Sequence, residues 1–184
     1  MLLLSVTGCA SVPHYDYKVE PDPRKSEFVV GALDQLSVVV WKNRELSADV
    51  TVRPDGIITL PLIGDVKAAG RTPSELQKEI AKRYSDFVRD EEMVLSVGVI
   101  AVNSYQFTVI GSVEHAGLMS SRSYLTVIEA LAMAGGPNRF AGSSLYIVRD
   151  NPPRRIPIDI KRASSGEHPE ENLIVLRGDL IVVP

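Results

Sequence analysis

Few residues in this chain are of a type and spacing that could do chemistry. Its one cysteine is Cys9, and its three histidines, His14, His115 and His168, lie far apart with no second ligand at metal-binding spacing. A single thiol gives neither a disulfide framework nor a thiolate zinc site, so no metal ligand is assigned. The adjacent carboxylates Glu91-Glu92 and Glu170-Glu171 fall in polar stretches, where solvated charge is expected rather than acid–base work. No G-x-S-x-G elbow, P-loop, H-E-x-x-H or dinucleotide fingerprint occurs. Gly135-Gly136 follows a helical pattern instead of opening one; anions bind at the opposite, positive end of a helix, so the pair reads as a helix stop. The inventory points away from an enzyme, and neither catalytic residues nor a cofactor are assigned.

Cys9 has a different chemistry within reach. It ends an apolar run, and Val6-Thr7-Gly8-Cys9 resembles a bacterial lipobox, whose cysteine receives diacylglycerol and becomes the mature N-terminus. Residues 1–9 are then a lipoprotein signal segment, without the usual basic start. Ala10, in place of Asp, resembles lipoproteins sorted onward to the outer membrane. Residues 10–26 carry three prolines and many charges with little periodicity, and read as a tether.

Composition narrows the partners. A hydrophobic share of 45% with 23% charged residues is that of a folded globular chain of one ordinary or two small domains. Twenty basic residues against 23 acidic give −3, and aromatics make up 6% without basic clusters around them, so nucleic acid is excluded as a partner.

The elements that would position any site are mixed, and the fold class expected is α+β. The organising stretch is Val50 to Gly70. At its centre Arg53-Pro54-Asp55-Gly56 favours a tight turn, with proline presetting φ and glycine taking the position where a side chain would clash. Val50 and Val52 on one side and Ile57, Ile58 and Leu60 on the other predict a β-hairpin around it. A second turn follows at once at Ile63-Gly64-Asp65, and Gly70 closes the stretch. Upstream, Gly31 allows a turn in which Asp34 bonds local amides. Leu36, Val38 and Val40 then alternate with Ser37, Val39 and Trp41 in a strand with both faces at least partly covered. Downstream, Thr72-Pro73-Ser74-Glu75 is a capping box, and Leu76, Ile80, Tyr84 and Phe87 form one apolar helical stripe. Met93 to Val102 is an apolar strand.

The pattern restarts near Asn103, where the boundary between residues 27–103 and 104–184 is placed. Tyr105, Phe107 and Val109 alternate with Gln106, Thr108 and Ile110 in a new strand within Tyr105 to Val113, which holds Gly111, and Gly117 follows. Thr126 and Glu129 form a second capping box, and Gly135 ends that helix. Strands are expected at 144–149 and 155–160, a polar loop at 161–172, and a last strand after the turn Leu176-Arg177-Gly178-Asp179.

The literal strings carry more than their periodicity. V-T-V-R-P-D-G-I-I-T-L-P-L-I-G-D-V-K-A-A-G at 50–70, with the Gly31 to Trp41 block before it, resembles the export domain of the polysaccharide export (outer-membrane polysaccharide exporter) family. Ala32 stands where the family has Asp, and Phe28 where it has Tyr. Val109-Ile110-Gly111-Ser112-Val113, Ala116-Gly117, the 126–136 helix with Gly135-Gly136, and the closing Gly178-Asp179 turn resemble the soluble-ligand-binding β-grasp module. The resemblance covers nearly the whole chain in family order. It implies a small export domain of hairpins and one helix, followed by a β-grasp-like domain. Arg53, Pro54, Asp55, Gly56, Pro61, Gly64 and Gly70 are its structural motif.

By function, the resemblance implies a lipid-anchored protein on the periplasmic face of the outer membrane. Its copies would form an octameric ring that passes exopolysaccharide or capsular polysaccharide. An inner-membrane polysaccharide co-polymerase would lie on one side and an outer-membrane exit on the other. Because the sequence stops at Pro184, straight after the closing strand, the exit is expected to be a separate β-barrel. The rival from another class is a monomeric carbohydrate-binding or adaptor lipoprotein, with a glycan-cleaving enzyme a distant third.

Overall fold

The computed structural model describes residues 15–87 and 93–184. Cys9 and the Arg89 to Glu92 stretch lie outside the described residues. Among the described residues the architecture is α+β, with three sheets, three α-helices and two separate buried cores.

The first core is built by strands β1 (Gln35–Val40), β2 (Ala48–Thr51), β3 (Ile57–Leu60), β4 (Gly64–Lys67) and β5 (Leu95–Ala101) with helix α1 (Pro73–Tyr84). β1 is the centre of a three-stranded antiparallel sheet ordered β2-β1-β5. Its alternation sends Leu36, Val38 and Val40 into the core, each no more than 2% exposed. Helix α1 begins on the expected capping box. The Thr72 hydroxyl accepts from the Glu75 amide at 3.2 Å and the Glu75 carboxylate accepts from the Thr72 amide at 3.0 Å. Leu76, Ile80 and Tyr84 are fully buried against this core, and the Tyr84 hydroxyl satisfies itself on the carbonyls of Leu46 and Pro61.

Three expectations for this half are corrected. The turn at 53–56 forms, but its arms do not pair as a hairpin: β2 joins β1, while β3 pairs with β4 in a sheet of its own. The turn hands the chain from one sheet to the next, and period-two patterning cannot reveal which partner a strand takes. Phe87 lies beyond the end of α1 and is exposed, because the stripe ends with Tyr84. The second face of β1 is open, with Val39 and Trp41 46% and 65% exposed.

The second core belongs to a five-stranded mixed sheet, β7-β6-β10-β8-β9, made of β6 (Gln106–Gly111), β7 (Gly117–Ser120), β8 (Ser144–Asp150), β9 (Pro153–Asp159) and β10 (Leu180–Val183). The last strand enters the middle, parallel to β6 and antiparallel to β8. Phe107, Val109, Ile147, Ile158 and Ile181 pack with the buried side of helix α2 (Val127–Met133), so the sheet folds around this helix. The capping box at Thr126 and Glu129 is present. Helix α3 (Ile160–Ser165), capped by Asp159 and stopped by left-handed Gly166, takes the last residue of the expected 155–160 strand and the start of the expected 161–172 loop. Only Ala163 of it is buried, too little apolar patterning to register in the sequence.

The stretch 15–26 also departs from its reading as a tether. Two short 3-10 turns (Tyr17–Val19 and Pro23–Lys25) are each capped by an aspartate, and Tyr15 and Tyr17 pack on the second core. The chain therefore touches the second core, crosses to build the first, and returns.

Candidate functional site

The motif turn is held by its own charges. Arg53 donates to the Asp55 carboxylate at 2.5 Å and lies 3.4 Å from Asp65 across the β3–β4 sheet. The Asp55 side chain also accepts from the Ile57 amide at 3.2 Å, closing the turn. Gly56 has φ +80°, and a Cβ there would sit 2.7 Å from that of Ala69. Its carbonyl accepts from both Ala68 and Ala69, which ties the turn to the end of the stretch at Gly70. These charges are partly exposed and satisfy each other, so their role is geometric.

Where the two cores meet, a fully buried carboxylate holds the junction. Asp34 accepts from the amides of Gly31, Asn103 and Ser104, all at 2.8 Å, and from the Ser104 hydroxyl at 2.7 Å. Asn103 donates back to the carbonyl of Leu33, and Arg177 donates to that of Val29. Gly31 is required for space: a Cβ would come within 2.2 Å of the Arg177 guanidinium and 2.5 Å of the Ser104 Cβ. The turn role expected for Asp34 is present, through Gly31, but three of its four bonds reach 69 or 70 positions along the chain.

A second buried charge cluster fixes the N-terminal arm. Arg149, 4% exposed, is bidentate to Asp179 at 2.9 and 2.7 Å and reaches Glu20 at 2.6 Å. Arg154 is bidentate to the same Glu20 at 2.8 and 2.7 Å, and the Tyr15 hydroxyl donates to it as well. Burial alone would raise the Glu20 pKa; hydrogen bonds from Arg154 and Tyr15 and the charge of Arg149 outweigh it, and the net shift is downward. Tyr15 is pushed up to about 12 by burial and by the adjacent Glu20. Asp179 also accepts from the Leu176 amide, so the Gly178-Asp179 turn that opens β10 is tied through Arg149 to β8 and the arm. Nothing in the sequence marks Glu20; it is one acid in a proline-rich stretch.

The remaining motif residues do not converge on one pocket. Trp41 is exposed at the end of β1, Pro61 and Gly64 flank the β3–β4 loop, and Gly70 bonds the Val30 carbonyl. Gly111 ends β6 against Val183, Gly117 opens β7, and Gly135 and Gly136 cap α2. Among the described residues no group of three or more His, Cys, Asp or Glu could hold a metal, and no helix is long and apolar enough to cross a membrane. What the arrangement offers is two units joined through the buried Asp34 hydrogen bonds, and an open sheet face.

Comparison with known proteins places that arrangement. Residues 22–98 match the family described as polysaccharide biosynthesis/export protein. The chain is 30% identical over 165 residues to the EPS I polysaccharide export outer membrane protein EpsA of Ralstonia solanacearum, covering 76% of this chain and 43% of that protein. It is 31% identical over 128 residues to the exopolysaccharide production protein ExoF of Rhizobium meliloti, covering 63% and 30%. Capsule polysaccharide export outer membrane protein CtrA of Neisseria meningitidis (serogroup A) is 23% identical over 135 residues, covering 73% and 33%. The chain spans less than half the length of each of these relatives.

Proposed function

We propose, from the premise that this chain belongs to the polysaccharide biosynthesis/export family, that it serves export of exopolysaccharide or capsular polysaccharide as a lipoprotein on the periplasmic face of the outer membrane. The observation that carries the reading is the family match over residues 22–98, which takes in the motif turn Arg53–Gly56 and most of the first core.

In this reading the protein is a conduit without turnover. No side chain is asked to act as nucleophile, acid or base, and the energy for movement comes from synthesis upstream. Residues 27–103 act as the export domain and 104–184 as the soluble-ligand-binding β-grasp module, a division supported by the two separate cores. Copies assemble into a ring, octameric by resemblance, between an inner-membrane polysaccharide co-polymerase and an outer-membrane exit. Lipid on Cys9 holds the ring at the membrane. Buried polar latches suit the task, since a passage of fixed bore needs units that do not swing.

Particle images and mass of the lipoprotein purified in mild detergent test the conduit. A large closed homo-oligomer with a central opening is the expected result. A monomer at every concentration would replace the conduit with the carbohydrate-binding or adaptor role.

A further inference from the structure

The open face of the β2-β1-β5 sheet is not an ordinary solvated face. Along β1 it presents Ser37, Val39 and, one residue beyond the strand, Trp41, whose amide continues the ladder to the Val94 carbonyl. On β5, Ser96 lies opposite Val39 and Gly98 opposite Ser37. Both are exposed, and a Cβ on Gly98 would meet nothing within 4 Å. On β2, Asp49 lies opposite Ser37 and accepts its hydroxyl at 2.5 Å. A shallow hollow of about 270 Å³ beside this row is lined by Ser37, Val39, Arg44, Ser47 and Asp49 among others. One rim of the hollow carries a carboxylate and a guanidinium, and an indole 65% exposed stands outside it, four residues along the row from Ser37.

From this placement we infer that the face is a glycan-contact platform, on which one sugar ring of a chain stacks against Trp41 while the hydroxyls of a further unit, about 13 Å along β1, bond Asp49 and the neighbouring Ser37 and Arg44. Pyranose rings have an apolar C–H face and a rim of hydroxyls, so a chain of them needs a flat aromatic surface and, further along, paired donors and acceptors. The core of a protein–protein contact is instead depleted of charged side chains. The small residues Ser37, Ser96 and Gly98 on the face leave room for a chain to run past the indole instead of ending on it. The inference rests on the export reading for its ligand class, and it adds a site to it.

Trp41 is the only tryptophan in the chain, so intrinsic fluorescence reports on this face alone. The probe is the strain's own secreted polysaccharide, cut to oligomers by mild acid and titrated into the purified full chain. A saturable blue shift with reduced acrylamide quenching is expected. Asp49→Asn should raise the midpoint of the titration about tenfold, and Trp41→Ala, followed by calorimetry, should weaken binding by a similar factor. An unchanged spectrum at saturating oligomer overturns the platform. So does a shift that tracks protein concentration without sugar, which would make the face a contact between copies. Secretion by cells carrying Trp41→Ala at wild-type levels of assembled protein separates the two claims. If deleting the protein stops secretion while the spectrum stays unmoved, the export reading survives and only the platform falls.

Discussion

The carboxylate of Asp34 and the hydroxyl of Ser104 meet at 2.7 Å across 70 positions of sequence, in a fully buried site at the join of the two cores. Asp34 is the acceptor for three amides and a hydroxyl at once, so removing it leaves several donors without a partner. Asp34→Ala should lower the unfolding free energy by roughly 2–4 kcal/mol, measured by urea titration. Asp34→Asn keeps the shape but turns one acceptor into a donor facing donors, and should cost less than alanine by about 1 kcal/mol. Equal stability of Asp34→Ala and wild type would remove the latch from the account.

Glu20 makes the docking of the arm pH-dependent. Its pKa is lowered in the folded state, so its contribution is fully present above the ordinary carboxylate pKa of about 4.3 and is lost as pH falls through the lower native value. Amides of residues 15–25 should be strongly protected from hydrogen exchange, relative to their intrinsic rates, at neutral pH and lose that protection in acid before global unfolding. Glu20→Gln should show fast exchange at neutral pH and lose the acid transition. Truncating one member of a buried ion pair typically costs about 3–5 kcal/mol, so Glu20→Ala should also lower global stability.

At the motif turn the effects should divide by geometry. Gly56→Val meets both the left-handed φ and the Ala69 methyl, and should destabilise by roughly 1–3 kcal/mol. Asp55→Asn retains an acceptor for the Ile57 amide and should stay within about 1 kcal/mol of wild type. Thermal melts of the two variants decide this. Loss of export from a folded, assembled Asp55→Asn protein would assign that carboxylate a direct role.

Acylation of Cys9 has its own readout. A fatty-acid probe fed to cells should label the wild type and leave Cys9→Ser unlabelled. Stable anchoring needs more than one chain, which the modified N-terminus of a bacterial lipoprotein supplies. Equal labelling of both would end the lipid reading.

What the sequence made legible follows from where the physics is local. Both capping boxes, the β1 alternation and the Arg53–Gly56 turn are written within a few residues, and each stands in the structure. The pairing of β2 with β1 instead of β3 is a tertiary choice that period-two patterning does not encode. The Asp34 latch was half visible: its bond to Gly31 is local, while those to Asn103 and Ser104 depend on the whole first unit being folded. Glu20 was invisible, because Arg149 and Arg154, which receive it, lie more than a hundred residues away. The open face around Trp41 was hidden by the same apolar alternation that identified the strand.

The account's central claim is that this protein serves polysaccharide export, and secretion itself tests it most directly. Polysaccharide would be quantified outside and inside cells lacking the protein, with and without a copy restored. The account predicts that external polymer falls to background in its absence, that polymer or its precursors accumulate inside, and that the restored copy reverses both. Undiminished external polymer in cells proven to lack the protein would contradict it.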